Sequence, residues 1–200
     1  MKLLATAFIL FFVTTILFYS CTSPADTRPV SATDTLTNKY GGYVSQAERG
    51  KHLVIIGGCG DCHTPKKMTA KGPVDDVALL LSGSQTPAPL PPATADQVAK
   101  GMAATLDQTA WIGPWGKSYA ANITSDSTGI GSWTEAQFIK CLRNGKSKGL
   151  DNARTMMPPM PWQNYAQMTD GEIKAIFAYL KTTKPIHNVV PQYEPPVMAK

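Results

Sequence analysis

The chain is short of charge. Only 16% of its 200 residues are Asp, Glu, Lys or Arg, and no long block of one sign occurs. A formal net charge of +5 without a basic block excludes the footprint of a nucleic-acid binder. Histidine is scarce, with three in all, and there is neither an H-x3-5-H pair nor a second C-x-x-C. A tetrahedral zinc site would therefore lack its second pair of ligands. No nucleophile–base pair is visible, so no small-molecule substrate is expected. Cysteine is limited to four residues, and they do not form a disulfide framework. Cys141 stands alone in a predicted helix and reads as a small buried hydrophobe. Against these shortages stand 16 Gly and 16 Pro. That composition suits a small, loop-rich domain whose core is completed by something apolar.

The densest chemistry lies in Cys59-Gly60-Asp61-Cys62-His63. Two thiols three residues apart can add across two vinyl groups of one porphyrin, and the imidazole that follows is held against one face of the iron. This is the c-type haem attachment pattern, C-x-x-C-H, and its single occurrence implies one covalent haem c. A thioredoxin-like redox pair shares the C-x-x-C spacing but wants a β-α-β setting, whereas the residues before Cys59 read as helix. A plain disulfide between Cys59 and Cys62 is the remaining alternative. In the haem reading His63 is the proximal ligand through Nε2, and its other ring nitrogen needs an acceptor to fix the tautomer. His52, inside the first helix, and His187, in the tail, are weak candidates for the distal side.

The ends of the chain point to export. Lys2 is followed by the uncharged run Leu3 to Tyr19, of about signal-peptide length and at the bottom of the membrane-spanning range of ~17–25 residues. Residues 1–20 resemble a bacterial lipoprotein signal that closes at Ser20-Cys21, with Phe18 and Tyr19 departing from the usual pattern. Cys21 would carry the lipid. An uncleaved N-terminal membrane anchor is the alternative, and a freely soluble periplasmic product is the third possibility. All three place the domain outside the cytoplasm, in the periplasm or cell envelope. Residues 21–43 are rich in Thr, Ser, Pro, Asp and Gly, cannot bury enough to fold alone, and read as a flexible tether.

Three helices are predicted with their caps. The first runs from Val44 to Gly58, with Ser45 as N-cap and Val44, Ala47, Leu53, Val54, Ile55 and Ile56 as its apolar residues. The second has a capping box at Thr134 and Gln137 and carries Phe138, Cys141 and Leu142. The third has a capping box at Thr169 and Glu172, and places Ile173, Ile176, Phe177 and Leu180 at helical spacing. Lys181 and Lys184 suit its negative end. Between the first two, residues 74–119 read as a loop-rich insertion: Leu79 to Gly83 as a short strand or turn, Thr86 to Pro92 as an extended Pro-rich loop, Asp96 to Leu106 as a short helix. Residues 185–200 read as a Pro-rich tail along the surface. Thr155-Met156-Met157-Pro158-Pro159-Met160-Pro161-Trp162 sets three thioethers in a stretch that proline makes rigid, which suits a held ligand better than core filler.

The run Asn122-Ile123-Thr124 to Lys140, followed by Arg143-Asn144-Gly145, together with the C-x-x-C-H and the methionine loop, resembles class I c-type cytochrome domains. Such domains occur as haem subunits of membrane-bound alcohol and aldehyde dehydrogenases and as related cytochrome lipoproteins. The resemblance covers about residues 45–182. It implies an all-α class I fold over a monohaem domain at 44–184, with the first and last helices crossing. It implies Met160, in the step Met160-Pro161-Trp162, as the distal ligand, with Met157 the alternative and Met156 third. Further residues around the haem follow from it: Pro73 as the acceptor for His63, Trp133 and Trp162 as core or haem-edge aromatics, and Arg143 as partner of a propionate. The expected function is single-electron transfer from an exported dehydrogenase or other donor to a respiratory acceptor. The partners would then be redox proteins and, through the anchor, a membrane. The rival is a haem sensor or peroxidase-like enzyme with a displaceable distal ligand.

Overall fold

The computed structural model describes residues 39–86 and 90–197. The expected signal segment, Cys21 and most of the tether lie outside them. Among the described residues no helix is long and apolar enough to cross a membrane.

The frame is helical. Helix α1 spans Gln46–Ile56, and its N-cap is Ser45, whose hydroxyl accepts from the Glu48 amide at 3.1 Å. A helix turns ~100° per residue, so a run of four consecutive apolar residues cannot all face one way. Leu53 and Val54 are buried, while Ile55 and Ile56, expected on the apolar face, project into solvent at 66% and 65% exposure. Val44, also expected there, precedes the helix and is exposed. A single turn, α2, follows at Cys59–His63.

The two later long helices carry the predicted caps. In α4 (Glu135–Asn144) the Thr134–Gln137 capping box is closed in both directions, and Phe138, Cys141 and Leu142 are buried. In α6 (Asp170–Leu180) Thr169 and Glu172 do the same, and Ile173, Ile176, Phe177 and Leu180 face the core together with Ala175. Phe138 and Phe177 meet at 5.2 Å between ring centroids, which joins α4 to α6. Trp133 packs against the same core.

Helices α1 and α6 come into backbone contact. A Cβ on Gly50 would lie 1.8 Å from the Ala175 carbonyl oxygen and 2.9 Å from the Tyr179 Cβ. Only glycine permits this approach, and Arg49 pairs with Glu172 at 3.6 Å beside it. Between the two long helices, α5 (Trp162–Tyr165) is a single turn.

The middle section is more ordered than the loop-rich insertion expected of it. Strands β1 (Lys66–Thr69) and β2 (Gly72–Asp75) form an antiparallel hairpin with Lys66 opposite Asp75 and Met68 opposite Pro73. Val77–Leu79 makes a 3-10 turn at the start of the stretch expected as a strand or turn. The short helix is α3 (Ala95–Ala99), and the chain then turns extended. Strands β3 (Ala103–Ala104), β4 (Ala110–Gly113) and β5 (Gly116–Tyr119) form a second antiparallel sheet in that order. Every residue of β4 is buried. None of the four-residue strands alternates apolar with polar residues, so the sequence pattern carried no strand signal.

The tail is pinned rather than merely laid on the surface. Lys117 and Glu194 exchange backbone hydrogen bonds of 2.8 and 3.1 Å, as an added strand on β5 would. Asn188 Nδ2 donates to the carbonyls of Ser82 and Ser84 at 2.8 and 2.9 Å. Asn122 Nδ2 donates to the Ile186 carbonyl at 2.8 Å.

Gly50→Ala is expected to force α1 and α6 apart, with a stability loss of roughly 2–3 kcal/mol from overpacking and a fall in Tm of roughly 5–10 °C. Thr169→Ala, which removes only a cap, is expected to cost about 1 kcal/mol. Thermal unfolding followed by circular dichroism measures both, and equal effects would show that the crossing has slack.

Candidate cofactor site

The site starts at the end of α1. Gly58 adopts φ +66, a left-handed conformation that glycine takes without strain, and this reverses the chain into α2. The Tyr165 hydroxyl donates to the Gly57 carbonyl at 2.6 Å and ties this corner to α5. One turn of helix then separates the two thiols, so Cys59 and Cys62 emerge near one another, half-buried and unbonded.

Burial raises the Cys59 thiol to about 11, and the Asp61 carboxylate and the neighbouring thiol add to the rise. Cys62 is raised as well, by burial first and then by Asp61. Both thiols are therefore protonated at neutral pH. A disulfide-exchange pair needs the opposite shift, toward the thiolate, so the environment argues against redox-pair chemistry.

His63 is held through Nδ1, 2.7 Å from the Ala121 carbonyl oxygen. A carbonyl only accepts, so Nδ1 carries the proton and the Nε2 lone pair is left free. Burial pulls the imidazole below its ordinary value, more than the Ala121 contact raises it, which keeps the ring neutral. Pro73, expected as this acceptor, does not take the place. It sits exposed in β2 opposite Met68, because residues 66–75 close into a hairpin.

His63, Cys62 and Gly58 line one cavity. The second sheet supplies Trp111, Ser118 and Tyr119, and the methionine loop supplies Met157 through Pro161. Among the described residues no carboxylate, amine or guanidinium lines it. Met157 and Met160 both reach the cavity, and Met160 also packs on the core. Met156 is spent elsewhere, its Sδ 3.6 Å from the buried Cys141 Sγ.

The other predicted residues fall outside this lining. Trp162 lies against Gly145, where a Cβ would be 2.5 Å from its indole ring. Trp133 belongs to the core. Arg143, expected at a propionate, donates to the Ala166 carbonyl and to Asp170 at 2.6 Å instead. An Arg at a helix C-terminus finds the nearest carbonyl and carboxylate, and here α6 begins beside it. His52 stacks on Tyr43 at 5.3 Å, and His187 stands 3.7 Å from Asp126, so neither enters the cavity.

Sequence reasoning missed Ala121, Trp111, Ser118 and Tyr119. For Ala121 no side-chain signal exists, since the working group is a carbonyl. The nearest pointer is its place directly before Asn122-Ile123-Thr124. The donor set nonetheless suits a haem: two neutral thiols, a neutral imidazole with Nε2 free, thioether sulfurs and otherwise apolar walls.

Comparison with known proteins agrees. The family model described as Cytochrome c matches residues 47–184. One of the nicotinate dehydrogenase subunits of Pseudomonas putida is 32% identical over 145 residues, covering 72% of this chain and 9% of that protein. The gluconate 2-dehydrogenase cytochrome c subunit of Pantoea cypripedii is 30% identical over 145 residues, covering 72% of this chain and 23% of its own length. The fructose dehydrogenase cytochrome subunit of Gluconobacter japonicus is 39% identical over 85 residues, 42% of this chain and 17% of that protein. The chain thus spans 9–23% of the length of these relatives.

Protein matured with a haem-attachment system is expected to keep its haem through a denaturing gel, with the mass of one porphyrin added. Cys59→Ala combined with Cys62→Ala is expected to lose the stain entirely. A stain that survives the double variant would place the attachment elsewhere.

Proposed function

This chain belongs to the cytochrome c family; from that premise we propose that it is a haem c electron carrier rather than an enzyme, with His63 and Met160 as the residues that would ligate the iron and Met157 the alternative. The observation that supports this reading is the shared cavity: the free Nε2 of His63 and the thioether loop line one apolar space. When bound, the haem supplies a reversible one-electron iron couple. Ala121 holds the imidazole in the ligating tautomer and orientation. A methionine ligand would keep small ligands off, and thioether ligation with an apolar lining would raise the potential. Apart from Cys62 and His63, which haem attachment and ligation would engage, the described lining carries no imidazole, carboxylate or amine for substrate chemistry.

We further propose that electrons come from an exported dehydrogenase and pass to a respiratory oxidase or another cytochrome. The names of the relatives, components of nicotinate, gluconate and fructose dehydrogenases, support a donor of this kind. Such encounters use small interfaces, below ~1,200 Å². The lipoprotein-type segment supports anchoring to a membrane in the cell envelope through Cys21, with an N-terminal span as the alternative.

Two measurements test these readings. The oxidised protein is expected to show the weak sulfur-to-iron band, and the reduced protein a low-spin spectrum unmoved by carbon monoxide at concentrations that saturate an open haem. Met160→Ala is expected to abolish the band and admit carbon monoxide, whereas Met157→Ala leaves both unchanged; the reverse result makes Met157 the ligand. Cys21→Ser is expected to move the protein from the membrane to the soluble fraction of exported material. Membrane retention in that variant would favour the spanning anchor.

A further inference from the structure

The methionine loop is poor in its own restraints. Three of residues 156–161 are prolines without an amide donor. Its backbone hydrogen bonds sit at its two ends: Met156 N donates to the Gly145 carbonyl at 2.7 Å, Met160 N to the Met157 carbonyl at 3.3 Å, Trp162 N to the Met160 carbonyl at 2.9 Å, and the Pro161 carbonyl accepts from Asn164 N and Tyr165 N at 3.0 and 3.4 Å. The carbonyl midway between the two cavity methionines belongs to Pro158. It accepts from the Ser118 hydroxyl at 2.5 Å, across 40 residues of chain.

Ser118 is buried in β5 and lines the cavity itself. Its oxygen accepts from the Trp115 indole Nε1 at 3.0 Å. A hydroxyl has one proton, and with Trp115 donating to its oxygen that proton is directed to Pro158. Such a relay strengthens each bond in turn.

The hairpin that carries both residues is clamped from the tail. Tyr193 donates its hydroxyl to the Trp115 carbonyl at 2.7 Å. Lys117 and Glu194 are paired through the backbone and again through Nζ and Oε2 at 3.0 Å. Gly116, at φ +98, leaves room for the Glu194 carbonyl, which a Cβ would meet at 2.1 Å. The tail thus fixes β5, and β5 reaches the ligand loop through one hydroxyl.

We propose that Ser118 is a positioning residue for the axial methionine: the hydrogen bond from its hydroxyl to the Pro158 carbonyl, oriented by Trp115 and backed by the tail, holds the loop with its sulfur on the iron. The proposal rests on the reading that a methionine of this loop is the distal ligand. Met157 and Met160 flank the held carbonyl, so the argument applies to either.

The test uses the full-length haem-loaded protein. Removing one net hydrogen bond is expected to shift the balance between closed and open loop by roughly tenfold. Ser118→Ala should therefore lower the carbon monoxide concentration that half-saturates the reduced protein by about tenfold and weaken the sulfur-to-iron band when oxidised. Ser118→Thr, which keeps the hydroxyl, should restore both. A purely structural role would lower Tm while leaving carbon monoxide binding and the band at parental values, and that result overturns the proposal. Should Ser118→Ala yield no folded holoprotein, Trp115→Phe removes the orienting donor while keeping an aromatic ring, and should move the same two readouts by a smaller factor; no movement there is equally fatal. If the parent protein has no sulfur-to-iron band, the ligand reading fails and this proposal with it. If the parent has the band and the variants match it, only the role of Ser118 falls.

Discussion

The contact between Gly50 of α1 and the Ala175 carbonyl of α6 sets the position of the proximal side of the cavity. It lets two helices from opposite ends of the domain meet without side chains between them. The end of α1 leads within three residues to Cys59, so the crossing places the first thiol. Tyr165, just before α6, reaches back to Gly57 and closes the same corner. The proximal half of the site is thus an extension of the core, and its covalent chemistry inherits the core's rigidity.

The distal half is assembled differently. A proline-rich loop has a limited repertoire of conformations but few hydrogen bonds of its own. Its anchors come from elsewhere: the Gly145 carbonyl at the end of α4, the Cys141 sulfur against Met156, and the Ser118 hydroxyl against Pro158. The second sheet does two things at once, walling the cavity with Trp111, Ser118 and Tyr119 and presenting that hydroxyl. The insertion that reads as loop-rich thus walls the cavity. The tail in turn holds the sheet, so residues 186–194 act on the cavity without lining it.

Local features of the sequence translated well. The capping boxes at Thr134 and Thr169, the Ser45 cap and the spacing of Ile173, Ile176, Phe177 and Leu180 all involve residues within one or two turns of each other. Where the signal was not local, reading failed. Ile55 and Ile56 look like core and are not, because helical geometry turns them away. Arg143 looks like a free cation beside a cofactor, but Asp170 is brought to it by the packing of α4 on α6. Pro73 looks like a backbone acceptor at a suitable distance along the chain, yet the hairpin carries it off.

The sequence by itself determined the chemistry: two thiols and an imidazole at C-x-x-C-H spacing, and a thioether loop before the last helix. Those are properties of side-chain type and short spacing, and no folding is needed to read them. Tertiary structure alone decided which carbonyl holds His63, which walls surround the cavity and what restrains the methionine loop. The Ala121 acceptor lies 58 residues from His63, and the Ser118 donor 40 residues from Pro158. Every residue offers a backbone carbonyl, so none is marked in sequence as the one that will be used. Only the path of the folded chain selects it.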